Sequence, residues 1–404
     1  MELTKVKLGD ICEIYAGGDA PKNTTTYRTE ENSIPVYSNG IENDGLYGFT
    51  STPKIVKPSV TISARGTIGV PFLRKDPYVP IVRLLSAIPK EDKIDLYYLY
   101  YATKLLRYKK DGSVQQQLTV PMLADVTIQV PPLSEQKKIA SVLSALDGKI
   151  ALNKKMNQKL EAMAKRLYDY WFVQYDFPDK NGHPYKTTGG PMTYNPTLKR
   201  EIPVGWEVKN VNDVTTSVRG VSYSSDDEKS KTDSNVVQIL RGNNISGSRF
   251  VFDSNDVFVS SDLVAEEQKI SKFDIVMTMS SGSKEHVGKS ALALYDMPHS
   301  FGAFCSKFTS NEEARYFIDC YLHSEIFIKY IRQTCTGTGI NNLTNGHFDK
   351  SLFAWPTEDI LKAFNEKVSA IYEQRGVIER EITRLTALRD KLLPLLMNGQ
   401  VVVK

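Results

Sequence analysis

Three groups of residues in this 404-residue chain have types that could do chemistry. Gly282-Ser283-Lys284-Glu285-His286-Val287-Gly288-Lys289-Ser290 imitates a phosphate-binding loop. Such a loop cradles phosphates on backbone N–H groups at the start of a helix and has four residues between its glycines. Here five stand between them, and Ala291-Leu292-Ala293-Leu294-Tyr295 is too short for the helix. Pro178-Asp179 followed by Glu207-Val208-Lys209 has the letters of a metal-dependent nuclease core. Asp179, however, lies in a Pro/Gly-rich stretch that reads as a solvated turn, and Glu207 opens a strand. Cys320, His323 and Cys335 lack a fourth ligand at zinc-binding spacing. No Asn/Asp-Pro-Pro-aromatic tetrapeptide of an amino-methyltransferase occurs, and no Gly-rich cofactor fingerprint follows a strand. The chain is expected to carry no catalytic group, metal or cofactor of its own.

Recognition chemistry remains, in polar, glycine-containing loops that occur in pairs. Ser63-Ala64-Arg65-Gly66-Thr67-Ile68-Gly69 has a partner in Ser280-Ser281-Gly282-Ser283-Lys284. Ser113-Val114-Gln115-Gln116-Gln117-Leu118-Thr119 answers to Thr336-Gly337-Thr338-Gly339-Ile340-Asn341-Asn342-Leu343-Thr344. Tyr37-Ser38-Asn39-Gly40 answers to Leu240-Arg241-Gly242-Asn243-Asn244. Gly allows close backbone approach, Arg, Lys and hydroxyls suit phosphates, and Gln or Asn can bond base edges bidentately. The candidate DNA contacts are Ser38, Asn39, Arg65, Gly66, Thr67, Gln115, Gln116, Gln117, Arg241, Asn243, Ser281, Lys284, Asn341 and Asn342. Any one loop alone reads equally well as an ordinary surface turn. Recurrence of all three pairs favours recognition.

The pairing stems from a duplication. Pro131-Pro132-Leu133-Ser134-Glu135-Gln136 opens a long amphipathic run, and Pro356-Thr357-Glu358-Asp359-Ile360-Leu361 opens another 225 positions later. The first run keeps 4,3 spacing through Ile139, Leu143, Leu146, Ile150, Asn153, Asn157, Leu160, Ala164, Leu167 and Trp171. The same offset gives Phe364, Val368, Ile371, Arg375, Leu385, Leu392 and Leu396 for the apolar members, with Arg375 breaking the stripe. This is a coiled-coil seam, in which Asn153, Asn157, Arg375 and Arg389 are polar and suited to fixing register. Ser134 and Thr357 read as N-caps, Gly399 as a stop, and Pro394 as a kink in the last turns.

Between the helical runs the chain reads as mixed α/β. Strands are expected at Ile34–Tyr37, Val60–Ser63 and Val126–Val130, and a helix from Leu96 to Tyr108. Val236–Leu240, Asp274–Thr278 and a helix from Tyr316 to Ile331 answer them in the second copy. The expected organisation is α+β: globular domains at 1–133 and 201–355, helices at 134–172 and 356–404, and a Pro/Gly-punctuated linker at 173–200. A pseudo-two-fold relation between the copies would pair the helices antiparallel.

Composition bounds the rest. The chain is 41% hydrophobic and 24% charged, with net charge +4, so whole-chain electrostatics make a weak case for nucleic acid. The segment 201–355 is acidic, so phosphate contacts there must come from local cations. No signal peptide, membrane span or CxxC pair is present, which fits a cytoplasmic protein with reduced thiols and no membrane partner.

With these features assembled, the chain resembles the specificity subunit of type I restriction–modification enzymes. Pro132 to Ala140, Trp171 to Pro178, Gly189-Gly190-Pro191-Met192, Arg200 to Trp206 and Arg389 to Gly399 carry the likeness. The resemblance implies two target-recognition domains, each reading half of a bipartite asymmetric site on double-stranded DNA. It implies helices that space the domains and dock two modification (methyltransferase) subunits, with restriction (motor-nuclease) subunits joining the complex. S-adenosylmethionine, ATP and Mg are then expected on those partners and not on this chain. The alternative from another class is a coiled-coil scaffold whose globular ends bind proteins.

Overall fold

The computed structural model describes residues 2–106, 117–252, 256–283, 285–334 and 341–403. Two compact units emerge: Met1–Leu152 with Ile382–Lys404, and Asn153–Glu381. The long helices Leu133–Tyr168 and Glu358–Met397 contribute residues to both.

In the first unit, a four-stranded antiparallel sheet has the order Cys12–Ala16, Leu85–Pro89, Ser59–Ile62, Pro71–Arg74. Ser59–Ile62 is inside the sheet and buried along its whole length, as its β-branched residues require. A second sheet joins Leu46–Thr50, Ile34–Tyr37 and Val79–Pro80, the last two in parallel. Thr4–Lys7 pairs with Thr127–Val130. Helix Leu96–Lys104 starts at Asp95, whose carboxylate takes the N–H groups of Tyr97 and Tyr98 at 2.9 and 3.0 Å. It ends at Lys104 with Leu105 as its C-cap, short of the expected Tyr108, which lies outside the described residues. Val60, Ile62, Leu85 and Leu99 share a core with Ile139 and Leu143 of the first long helix and with Leu393, Leu396 and Met397 of the second.

The second unit repeats the plan. Its main sheet runs Thr215–Arg219, Cys305–Ser310, Ile275–Thr278, Ser290–Leu292, again antiparallel throughout. Its second sheet sets Val236–Leu240 between Val257–Ser260 and the parallel strand His299–Phe301, with Glu228–Lys229 added at the edge. Glu207–Lys209 pairs with Phe353–Trp355, as Thr4–Lys7 does with its own partner. The helix expected from Tyr316 to Ile331 is two helices, Arg315–Leu322 and Glu325–Thr334. The break falls at Ser324, whose hydroxyl takes the Phe327 N–H at 3.2 Å and so starts a new helix. Residues 173–200 are folded rather than extended. Phe177 is buried between the rings of Tyr185 and Trp206, at 4.5 and 5.2 Å.

The seam positions of the long helices face inward as the spacing requires: Ile139, Leu143, Ile150, Asn153, Asn157, Ala164 and Trp171 are all buried. Each polar seam residue meets a carboxylate. Within the first unit Arg389 Nη1 donates to Asp147 at 2.8 Å. Within the second, Asn153 donates to Glu381 at 2.8 Å, Asn157 donates to Glu379, and Arg375 lies 3.9 Å from Glu161. Partner numbers fall as helix numbers rise, so in this unit the two helices run antiparallel. Two details differ from the sequence reading, at the two ends of the first helix. Ser134 sits inside the first turn, because the Pro132 carbonyl already accepts the N–H groups of Glu135 and Gln136. The first helix ends in a π-helical turn, Asp169–Val173. Pro394 lies within a helix that continues to Met397, and Gly399, at φ 70°, ends it.

Candidate nucleic-acid interface

In the first unit the predicted loops come together. Arg65 donates from Nε and Nη2 to Gln117 Oε1, at 3.2 and 2.8 Å. Leu118 N–H bonds the Ala64 carbonyl at 3.0 Å, which fastens the Gln117 segment beside the Arg65 loop. Arg65, Gly66 and Thr67 are exposed. Gly66 has φ +68° with open space around it, a conformation that a side chain would strain. Ser63 holds this loop closed, donating to the Thr67 carbonyl and accepting from Val70 N–H.

Asn39 does different work from that expected. Its Oδ1 takes the Ala64 N–H at 2.7 Å and its Nδ2 donates to the Val82 carbonyl at 2.6 Å. With both ends of the amide engaged on backbone, it organises the loops. Ser38 is half-buried, its N–H bonded to Gly45. Gln115 and Gln116 lie outside the described residues.

The second unit builds the corresponding corner with a short ladder. Ser280 and Ser281 pair with Asn342 and Asn341. Leu343 N–H bonds the Met279 carbonyl at 2.8 Å, in the place of the Leu118–Ala64 bond. Asn342 is exposed, whereas Asn341 is 3% exposed, so its side chain is not presented to a ligand. Asn243 is exposed at the tip of the turn Gly242–Asn244. Asn244, the neighbour left out of the candidate set, anchors that turn: it is buried and donates to Val251 O and Asp256 Oδ1 at 3.0 and 2.8 Å. A Cβ at Gly242 would stand 3.1 Å from Thr278, which shows how closely this turn approaches the Ser280 strand. Arg241 bonds the Tyr223 hydroxyl; burial raises that hydroxyl's pKa and the guanidinium opposes the rise. Lys284 lies outside the described residues.

The catalytic look-alikes resolve into structure. Ser290, the end of the phosphate-loop-like segment, begins a strand, so the segment does not lead into a helix. Asp179 Oδ1 accepts the N–H groups of Asn181 and His183, both at 2.8 Å. Those bonds, His183's foremost, hold its pKa below the usual carboxylate range. Cys320 is buried, its thiol pushed well up by burial, and lies 3.3 Å from Tyr372 Oη. Among the described residues no three His, Cys, Asp or Glu side chains are grouped to hold a metal ion, and no helix is long and apolar enough to cross a membrane.

Arg375, the residue that breaks the apolar stripe, belongs to a buried ionic cluster. It lies 3.9 Å from Asp319 Oδ2, which also accepts from Tyr372 Oη at 2.7 Å. His323 Nδ1 is 3.4 Å from Asp319 Oδ1. Burial alone would lower the His323 pKa, but the Asp319 charge and hydrogen bonds outweigh it and raise it to about 9. The cluster borders a cavity of about 310 Å³.

The family model described as "Type I restriction modification DNA specificity domain" matches residues 2–162. The C-terminal part of a putative type I specificity subunit of Mycoplasma pneumoniae is 39% identical over 124 residues, which are 30% of this chain and 84% of that protein. The chain belongs to the type I restriction–modification specificity subunits. The MjaIX specificity subunit of Methanocaldococcus jannaschii is 27% identical over 359 residues, covering 86% of this chain and 78% of that one. The crystal structure of a type I S subunit from M. genitalium superposes with a TM-score of 0.56 at 16% identity, covering 98% of this chain and 96% of that one. At that identity the likeness is one of fold.

Family membership gives the marker segments a physical role. Gln136, in the Pro132–Ala140 segment, is 1% exposed and uses its whole amide: it accepts from Asp95 N–H at 2.9 Å and donates to Lys93 O and Pro131 O at 3.1 and 2.9 Å. In this subunit it welds the start of the long helix to the globular part. The 4,3 spacing carried back three residues from Ile139 falls on Gln136, so the periodicity marks its burial but not the bonds it makes.

Proposed function

We propose that the chain is the non-catalytic DNA-recognition subunit of a type I restriction–modification complex. Each unit reads one half of a bipartite, asymmetric duplex site. The paired helices form an antiparallel coiled coil that sets the distance between half-sites and docks two modification subunits; restriction subunits then join. S-adenosylmethionine, ATP and Mg act on those partners, in the cytoplasm.

One observation carries this reading. The same loop-to-loop bond, Leu118 N to Ala64 O at 3.0 Å and Leu343 N to Met279 O at 2.8 Å, gathers polar loops at the same corner of both units. Two similar recognition corners on one chain suit a target in two parts. Arg65 and Gln117 in the first unit and Asn243, Ser281 and Asn342 in the second are the contacts retained from the candidate set.

The test is to map methylated bases in the genome of cells carrying the complete system, and to measure duplex binding by the modification complex across a salt series. A single bipartite methylated sequence and steeply salt-dependent binding are expected, because phosphate contacts release counterions. Salt-insensitive or absent duplex binding, with no defined methylated sequence, would replace this reading with the protein-binding scaffold.

A further inference from the structure

A two-residue turn in the first unit is strained, although both of its central side chains are exposed. Leu84 N–H closes the turn on Ile81 O at 3.0 Å, and between them Val82 and Arg83 have φ of 52° and 61°. Such left-handed pairs are normally Asn-Gly, and a β-branched residue there is a steric outlier. The surroundings nevertheless force it. Val82 N–H bonds Gly18 O at 2.8 Å, Arg83 N–H bonds Gly17 O at 3.1 Å, and Ile81 N–H bonds Tyr37 O at 2.9 Å. Asn39 holds the Val82 carbonyl from the third side. Gly17 itself has no room for a side chain, with Ile81 N 2.7 Å from where its Cβ would be. Val82 and Arg83 are both exposed, so packing dictates neither. Because Asn39 also binds the N–H of Ala64, the turn and the Arg65 loop form one assembly.

The second unit has a hydrogen-bonded turn at the equivalent place, Gly302 to Cys305, but without the left-handed backbone of Val82 and Arg83. Gly18 and Ile81 are joined by a parallel bridge, and so are Val221 and Gly302. Cys305 N–H closes on Gly302 O at 2.8 Å, Ala303 N–H bonds Val221 O at 2.9 Å, and Gly302 N–H bonds Leu240 O at 2.9 Å. Arg219 Nε reaches the Ala303 carbonyl at 3.3 Å, where Asn39 reaches Val82 in the first unit. Phe304 then stands where Arg83 stands, and it is 68% exposed. Its carbonyl accepts from Met279 and Ser280 N–H, which sets it against the strand paired with Asn341 and Asn342.

We propose that Arg83 and Phe304, the tips of these two equivalently placed turns, are specificity-determining residues that touch bases. Arg83 donates two hydrogen bonds to the major-groove edge of a guanine, and Phe304 lays its ring against a thymine methyl. Strain retained at an exposed tip, and a large apolar ring offered to solvent at the equivalent place, are both accounted for by a ligand surface. The inference rests on the DNA-recognition reading above.

The experiment uses the complete modification complex and methylation mapping against a library of half-site variants. Arg83→Gly suits the left-handed turn and removes the whole side chain; Arg83→Lys keeps the charge but not the bidentate geometry. Both are expected to lose discrimination about 5- to 150-fold at one base pair of the first unit's half-site, leaving the other half unchanged. Phe304→Ala is expected to do so at a thymine of the second half-site. If Arg83→Lys discriminates as the wild type does, and Arg83→Gly weakens binding equally for all sequences, Arg83 is a phosphate contact and the proposal fails. It fails also if all three variants keep every base preference while the wild type methylates a defined bipartite site, which leaves the broader reading intact. Absence of any defined site for the wild type would instead overturn the broader reading.

Discussion

Arg65 and Gln117, 52 residues apart, share a forked hydrogen bond in which two guanidinium nitrogens converge on one amide oxygen. The pair presents an exposed cation whose direction is fixed by a residue from another loop. Replacing Gln117 by Ala releases Arg65. The expected outcome is relaxed base preference in the first unit's half-site only, by about 5- to 150-fold at the affected position. Gln117→Glu would bind the guanidinium in an ion pair, so duplex affinity should fall and its salt dependence become shallower. Methylation mapping and a salt titration read the two effects separately; a change in the second half-site would refute the assignment.

Asn39→Ala removes two hydrogen bonds that join three backbone segments. A cost of about 1–2 kcal/mol is expected in denaturant unfolding. Half-site recognition by the first unit should degrade with it. An unchanged midpoint would show that the loops hold without this amide.

Arg375→Met puts an apolar chain where Asp319 and Glu161 face a guanidinium. A loss of about 3 kcal/mol is expected, the low end for breaking a buried pair, because Tyr372 and His323 still face Asp319. Pairing the change with Asp319→Asn should recover part of the loss. A wild-type melting temperature for the single variant would refute the ionic account.

The His323 pKa, raised to about 9 from 6.5, makes stability pH-dependent in a defined direction. A group whose folded pKa is raised contributes fully below 6.5 and loses that contribution as pH rises through 9. Thermal stability should therefore decline between pH 6.5 and 9, by up to about 3 kcal/mol at about 1.4 kcal/mol per unit. His323→Gln should flatten that segment of the profile, and an identical decline in the variant would exclude His323 as the source.

Four residues inserted after Ala151 lengthen the first helix by about 6 Å and rotate its C-terminal half by about 40° past a full turn. The preferred spacer between half-sites should grow by one or two base pairs while both half-site sequences stay the same. An altered half-site sequence at constant spacing would contradict the spacing role of the helices.

The helices are the most legible part of this chain, because a seam with 4,3 spacing is a property of sequence alone; seven of its ten positions from Ile139 to Trp171 are buried and Leu146, Leu160 and Leu167 half-buried. The duplication was legible for the same reason, and the strand order repeats between units. What Arg375 does could not be read, since Asp319, 56 residues upstream, gives it a counter-charge only in the folded unit. Asn39 looked like a base reader because its residue type is one, yet its amide is engaged by Ala64 and Val82. The Val82–Arg83 turn escaped notice because hairpin turns are found by Asn and Gly, and this one is imposed from outside by Gly17, Gly18 and Tyr37. Ser134 was misplaced as a cap because the Pro132 carbonyl starts the helix earlier.

Leu393, Leu396 and Met397 complete the core that Leu8 and Val60 begin. The order of synthesis therefore inverts the order of completion. When residue 381 has emerged from the ribosome, every segment of the second unit exists, whereas the first unit still waits for its closing turns. Its apolar interior stays unsealed throughout translation of the rest. A stop codon near residue 385 would thus spare the unit made later and cripple the one made first. Chaperone demand, and sensitivity to C-terminal trimming, should both track the N-terminal unit.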